Sequence, residues 1–178
     1  MSNPVLDAIS DRRSIRAYKQ DPITQDQLDA ILKAAFESPS ARNRQPWHFT
    51  VARDQKVIAE VNEEAQKNMK EDLGFNMKDI FFAAPTVIFI SSEKNWAWSK
   101  VDTGIAVQTI ALAAHSLGLG SVILGLPRYA FEGLRKEYFD KLLKFPDDYE
   151  FAIAIAIGVP NTTKKAHPNL PGKVEYVG

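Results

Sequence analysis

The sequence predicts a layered domain of helices and strands, α+β or α/β, with helices on both faces of a sheet of four or five strands. Three observations predict it. Helical and strand periodicities follow in the order helix, helix, strand, helix, strand, helix, strand, helix, strand. Pro85-Thr86-Val87-Ile88-Phe89-Ile90 is an unbroken apolar run, the pattern of a strand covered on both faces. The stretch from Asp102 to Leu117 is apolar nearly all round, so as a helix it must be buried on every side. The 178 residues make one domain, 1–178.

Each element has a local reason. Asn3-Pro4 reads as a cap with proline at the first helical position, leading into Val5-Leu6-Asp7-Ala8-Ile9. Thr24 and Gln27 have capping-box spacing, and Leu28, Ile31, Leu32 and Ala35 recur behind them at helical intervals. Pro39 ends that helix by pushing Ser38 out of the helical region. Trp47, Phe49 and Val51 alternate with His48, Thr50 and Ala52 as a half-buried strand. Val57, Ile58 and Val61 open another helix after Asp54. Gly118-Leu119-Gly120 ends the apolar helix, and Ser121–Leu124 is a short strand. Phe131 to Phe145 reads as an amphipathic helix with Phe131, Leu134, Tyr138 and Leu142 on one side. Phe151–Ile157 is a last strand whose alanine face is pressed against something. In the aperiodic tail, 161–178, Val174–Val177 is expected to add a short strand, and the tail is either disordered or laid over a neighbour.

Composition narrows the function. Lys+Arg and Asp+Glu are both 22, so nothing marks a nucleic-acid binder. There is no cysteine, which removes disulfides, thiol nucleophiles and thiolate-ligated metals. His48, His115 and His167 lack metal-ligand spacing, so no metal site is expected. No basic-then-apolar leader opens the sequence and no apolar run is long enough for a membrane span, so a cytoplasmic protein is expected.

Three segments can carry chemistry. In Arg12-Arg13-Ser14-Ile15-Arg16 three guanidinium groups repel one another unless an anion sits among them. If the segment is extended, Arg12, Ser14 and Arg16 point one way, as a phosphate site needs, and Ile15 points into the core. The other reading is a solvated basic turn paired with Asp7, Asp11 and Asp21. Ser38 to Trp47 is a polar loop held by Pro39 and Pro46. Its Ser, Asn and Gln side chains can read a planar heterocycle or simply satisfy their own backbone. Gly118 to Arg128 departs from the dinucleotide fingerprint, because its glycines follow a helix rather than opening one. Gly125, at a strand end, can leave backbone amides facing a ligand, or it is an ordinary strand end.

Together with Asp102-Thr103-Gly104 and Ile157-Gly158-Val159-Pro160, these segments resemble the nitroreductase family over nearly the whole chain. The resemblance implies a three-layer α+β fold, its four- to five-stranded mixed or antiparallel sheet flanked by helices. It implies an intertwined homodimer with FMN at the subunit interface. Arg12, Arg13, Ser14 and Arg16 would hold the phosphate and the pyrimidine side of the flavin. Pro39, Ser40, Ala41, Asn43 and Gln45 would come from the second subunit. Backbone at Ile123, Leu124 and Gly125 would approach the ring, and Lys164 or Lys165 would add to the phosphate site. The implied reaction is ping-pong reduction of a small electron-poor acceptor, such as a nitroaromatic or quinone, by NADH or NADPH. No catalytic side chain is required, because the flavin carries the chemistry. The pocket wall is expected from Asn68–Phe75 and Ser91–Lys100, with Trp96 and Trp98. A flavin store or sensor, and an interaction protein without flavin, are the competing classes.

Overall fold

A computed structural model describes residues 3–74, 77–168 and 170–178. Among them are helices α1 Pro4–Asp11, α2 Gln25–Phe36, α3 Gln55–Leu73, α4 Ser99–Ser116 and α5 Lys136–Leu142. The strands are β1 Trp47–Ala52, β2 Thr86–Glu93, β3 Gly120–Leu124 and β4 Tyr149–Gly158. They form one antiparallel sheet in the order β1-β2-β4-β3. No helix among the described residues is long and apolar enough to cross a membrane.

Local chemistry sets the helix starts. The Asn3 side chain accepts from the Val5 and Leu6 amides, and Thr24 and Gln27 complete a reciprocal capping box. Asp54 caps α3 through the Lys56 amide. At the end of α4 the Leu119 amide reaches the Ala114 carbonyl and the Gly118 amide reaches His115, a Schellman closure.

The sheet divides two cores. On one side Ile88, Ile90, Ile155 and Ile157 meet Ile31 of α2 and Ile110 of α4. On the other Phe89, Ala154 and Ala156 meet Met69 of α3, Phe81 and Phe139 of α5. This accounts for the alanine face of β4: the aromatic rings already fill that layer. β2 sits between β1 and β4 and is buried from Thr86 to Ser92, as its apolar run predicts.

Three expectations need correction. First, α4 is not buried on every side within one chain. Its inward face is packed, but Val101 is 54% and Ile105 37% exposed. Second, Phe131–Phe145 is not one helix. A 3₁₀ turn at Leu126–Ala130 is followed by turns to Arg135, and only Lys136–Leu142 is α-helical. The backbone at Gly133 passes so close to Asn68 that a Cβ would lie 2.5 Å from its amide nitrogen. Phe131 instead stacks flat on Phe151 at 4.6 Å, while Leu134 and Tyr138 face outward. The buried residues of this region are Phe131, Phe139, Leu143 and Phe145. Third, Val174–Val177 forms no strand and lies exposed.

Candidate cofactor site

The basic segment begins where α1 stops. Arg12 has extended backbone, and the chain runs on to pair with the start of β3. The Ile15 amide donates to the Ser121 carbonyl at 2.9 Å, and Ser14 bridges Ser121. Gly120 permits this approach, since a Cβ there would lie 3.0 Å from the Ile15 side chain. Tyr18 locks the segment by donating to the Ile15 carbonyl at 2.7 Å. Burial pushes its phenol well above the ordinary tyrosine range, against a smaller opposing pull from Arg16. Ile15 thus enters the core as the alternation requires.

Arg12, Arg13, His115 and Lys164 line one cavity of about 270 Å³, floored by Gly118–Ser121. Arg12 and Lys164 make no ion pair or hydrogen bond among the described residues, and neither Asp11 nor Asp21 pairs with the cluster. Arg13 donates through Nη1 to the Ser10 and Arg12 carbonyls, while its buried Nε has no acceptor among the described residues. Unpaired guanidinium and ammonium groups around a cavity, with one N–H buried and unspent, have the chemistry of an anion site. The strict alternation does not hold here. Arg12 and Arg13 both line the cavity, Ser14 is taken up by the β3 bridge, and Arg16 lies 5.8 Å over the Phe82 ring. Lys165 is exposed and does not line the cavity.

Ile123, Leu124 and Gly125 lie at the far end of β3, about 7, 10 and 13 Å from Ser121 at strand rise. Open space faces the Gly125 Cα. One short strand therefore joins a cation-lined cavity to an open backbone edge.

The loop Pro39–Gln45 is elsewhere. Its Ala41 amide donates to Asp102 Oδ1 at 3.1 Å, and Trp96 Nε1 donates to Oδ2 at 3.2 Å. Asp102, 3% exposed, thus ties the loop to the first turn of α4. Within the loop Ser40 Oγ accepts from the Gln45 amide and Asn43 Oδ1 from Gln45 Nε2. Arg42, Asn43 and Gln45 all have φ above +50°, a costly left-handed backbone that these bonds maintain. Arg44 pairs with Glu93 and holds its carboxyl below the usual range. Asp102 and His115 are 13 residues apart on α4, so loop and cavity stand about 20 Å apart. One chain does not bring them together.

Of the expected pocket wall, Trp96 is engaged by Asp102, Trp98 is 54% exposed, and Phe75 lies outside the described residues. Two residues named in the sequence reading were given no site role there. His115 looks like a core histidine on an apolar helix, yet it is half-buried at the cavity wall, one turn before Gly118. Asp102, the only carboxylate in that helix, signalled an anchor.

The nitroreductase family model matches residues 9–159. The chain belongs to the nitroreductase family. A Bacillus subtilis FMN reductase [NAD(P)H] is 30% identical over 191 residues, covering 95% of this chain and 71% of that protein. A protein of Methanothermobacter thermautotrophicus named for NADH dehydrogenase/NAD(P)H nitroreductase is 37% identical over 160 residues, covering 88% and 77%. The crystal structure of a Desulfitobacterium hafniense nitroreductase with bound FMN superposes with a TM-score of 0.90 at 34% identity, covering 100% of both chains. This nitroreductase-family chain is accordingly a flavin oxidoreductase, with the three-layer α+β fold of its relatives.

Proposed function

We propose that the protein binds FMN between two copies of itself and uses NADH or NADPH to reduce a small electron-poor acceptor, such as a nitroaromatic or quinone. The observation that carries this reading is the line from the cavity of Arg12, Arg13 and Lys164 along β3 to Gly125. The cavity fits a phosphate dianion: Asp11 also lines it but pairs with none of its cations among the described residues, Arg12 and Lys164 are unpaired there, and the Arg13 Nε is unspent. Arg12, Arg13 and Lys164 would hold the phosphate, with His115 beside them and Ser14 fixing the segment to β3. Arg16 would serve the pyrimidine side, and backbone at Ile123, Leu124 and Gly125 the ring. When bound, FMN supplies reversible hydride chemistry that no side chain here can provide.

The second copy follows from the same geometry. Pro39, Ser40, Ala41, Asn43 and Gln45 reach the cofactor only from a partner whose α4 runs against this one. Exposed Val5, Leu6 and Ile9 of α1 and Val101 and Ile105 of α4 supply an apolar face for that contact. The tail, 161–178, would lie across the partner. Catalysis would be ping-pong, the oxidised nucleotide leaving before the acceptor enters, with cytoplasmic NAD(P)H as the electron source.

The test is purification followed by anaerobic titration. A yellow protein, bleached by NADH or NADPH and recoloured by an acceptor over many turnovers, is the expected result. A colourless protein that takes up no added FMN would overturn the reading, and flavin without turnover would make it a store or sensor.

A further inference from the structure

A second recess lies at the Ile123 end of β3, beside the backbone that the cofactor reading gives to the ring. Its inner part, about 340 Å³, is walled by Val107, Ile123, Ala152 and Ile153. Thr103 and Gly104 of α4 complete it. Gly104 contributes no side chain, and nothing stands within 4 Å of where one would start. Thr103 is 2% exposed, and its hydroxyl has no partner among the described residues. A buried hydroxyl left unspent in an apolar slot has the character of a ligand contact.

The outer part, about 210 Å³, has the opposite character. Lys100, Arg128 and Lys136 line it, against Glu132 and Glu150. Two of these cations are engaged: Arg128 donates to the Tyr129 hydroxyl at 2.9 Å and lies 3.9 Å from Glu132, and Lys136 pairs with Asp140. Lys100 makes no ion pair or hydrogen bond among the described residues. It lines both parts and so joins the apolar slot to the charged mouth.

We propose that this recess binds the acceptor, and that Lys100, with Arg128 behind it, selects aromatic acceptors bearing a carboxylate or similar anionic substituent. The inference rests on the flavin reading above. The inner volume is at the small end of ligand pockets and suits a single substituted ring rather than a dinucleotide. The ring occupies the apolar slot, the Thr103 hydroxyl donates to a nitro or quinone oxygen, and the anionic substituent meets Lys100. For a nitro acceptor the balance is ArNO₂ + NAD(P)H + H⁺ → ArNO + NAD(P)⁺ + H₂O. The nitrogen gains two electrons, one N–O bond breaks, and the oxygen leaves as water.

The experiment compares 4-nitrobenzoate with methyl 4-nitrobenzoate on the flavin-loaded wild type, Lys100→Met and Lys100→Arg. Intrinsic reactivity of the two substrates cancels when their ratio of kcat/KM is compared between proteins. Lys100→Met is expected to lower the benzoate-to-ester ratio roughly tenfold, through KM, with the ester unchanged and Lys100→Arg restoring most of the loss. Equilibrium titrations should agree: benzoate binding weakens roughly tenfold in Lys100→Met while benzamide binding does not change. An unchanged ratio and unchanged benzoate affinity would overturn the proposal. So would a loss confined to NADPH against NADH, which would place Lys100 on the nucleotide. Failure of the flavin reading would look different, as a protein without flavin reduction by either nucleotide. The benzoate titration still reads the recess in that case.

Discussion

The two regions at opposite ends of α4 are built on opposite principles. At its C-terminal end Arg12 and Lys164 stand around a cavity without partners among the described residues, and Arg13 keeps a buried N–H unspent there. At its N-terminal end the Pro39–Gln45 loop is internally closed: Asp102 holds Ala41, Ser40 holds the Gln45 amide, and Arg44 is tied to Glu93. The first region is a set of charges with the chemistry to hold a mobile anion. The second is a strained frame held rigid, suited to present a fixed polar edge. Neither is a complete site, and about 20 Å of helix keeps them apart in one chain. The difference is what the proposed dimer would explain, with one copy's charges facing another copy's frame.

The largest expected effect comes from attacking the contact proposed to join two copies. Ile105→Glu places a carboxylate on the exposed apolar face of α4. It should weaken self-association more than about 100-fold, since an unpaired charge buried in an interface costs several kcal/mol. Sedimentation at graded concentration reads this directly, and an unshifted dimer would move the interface elsewhere. Next, Arg12→Ala should weaken FMN binding by about 1.5–3 kcal/mol, the range for a hydrogen bond to a charged group, measured by flavin fluorescence. Ser14→Ala should cost less, because Ser14 does not line the cavity.

The frame is broken differently. Asp102→Ala strands the Ala41 amide and the Trp96 indole N–H, and should cost about 1–3 kcal/mol of stability in urea unfolding. Dimer formation with normal stability in this variant would show that the loop is not held as described. The smallest effects sharpen the cavity. Lys164→Ala and His115→Gln should each weaken FMN by about 0.2–1 kcal/mol, whereas Lys165→Ala should leave it unchanged.

Much of this was legible before any coordinates. Caps at Asn3, Thr24 and Asp54 and the β2 run are decided within a few residues of sequence, and the structure keeps them. What was misread depended on distant partners. Periodicity records which side chains are apolar, but not which chain covers them, so α4 read as buried on every side although Val101 and Ile105 are exposed in this chain. Phe131 to Phe145 carried a helical pattern, yet Phe131 stacks on Phe151 of β4, and Gly133 lies against the Asn68 side chain of α3. The arginine cluster declared its need for an anion through residue type alone. Ser14 and Arg16 do not line the cavity: the backbone at Ser14 bridges Ser121 and Arg16 lies over Phe82, which local alternation cannot foresee. His115 was hidden because a histidine on an apolar helix looks the same from either side.

The central claim, that each cofactor site takes its phosphate cavity from one copy and its loop from the other, has a direct test. Two variants are made that each lose flavin as homodimers, Arg12→Glu in the cavity and Ser40→Tyr in the loop, and are refolded together in equal amounts. In a mixed dimer one site then carries both defects and the other carries neither. Random pairing should restore FMN to about a quarter of all sites, with the flavin confined to mixed dimers isolated by differential tagging. If each site were built within a single chain, every site in the mixture would keep one defect, and the refolded sample would stay as colourless as its parents.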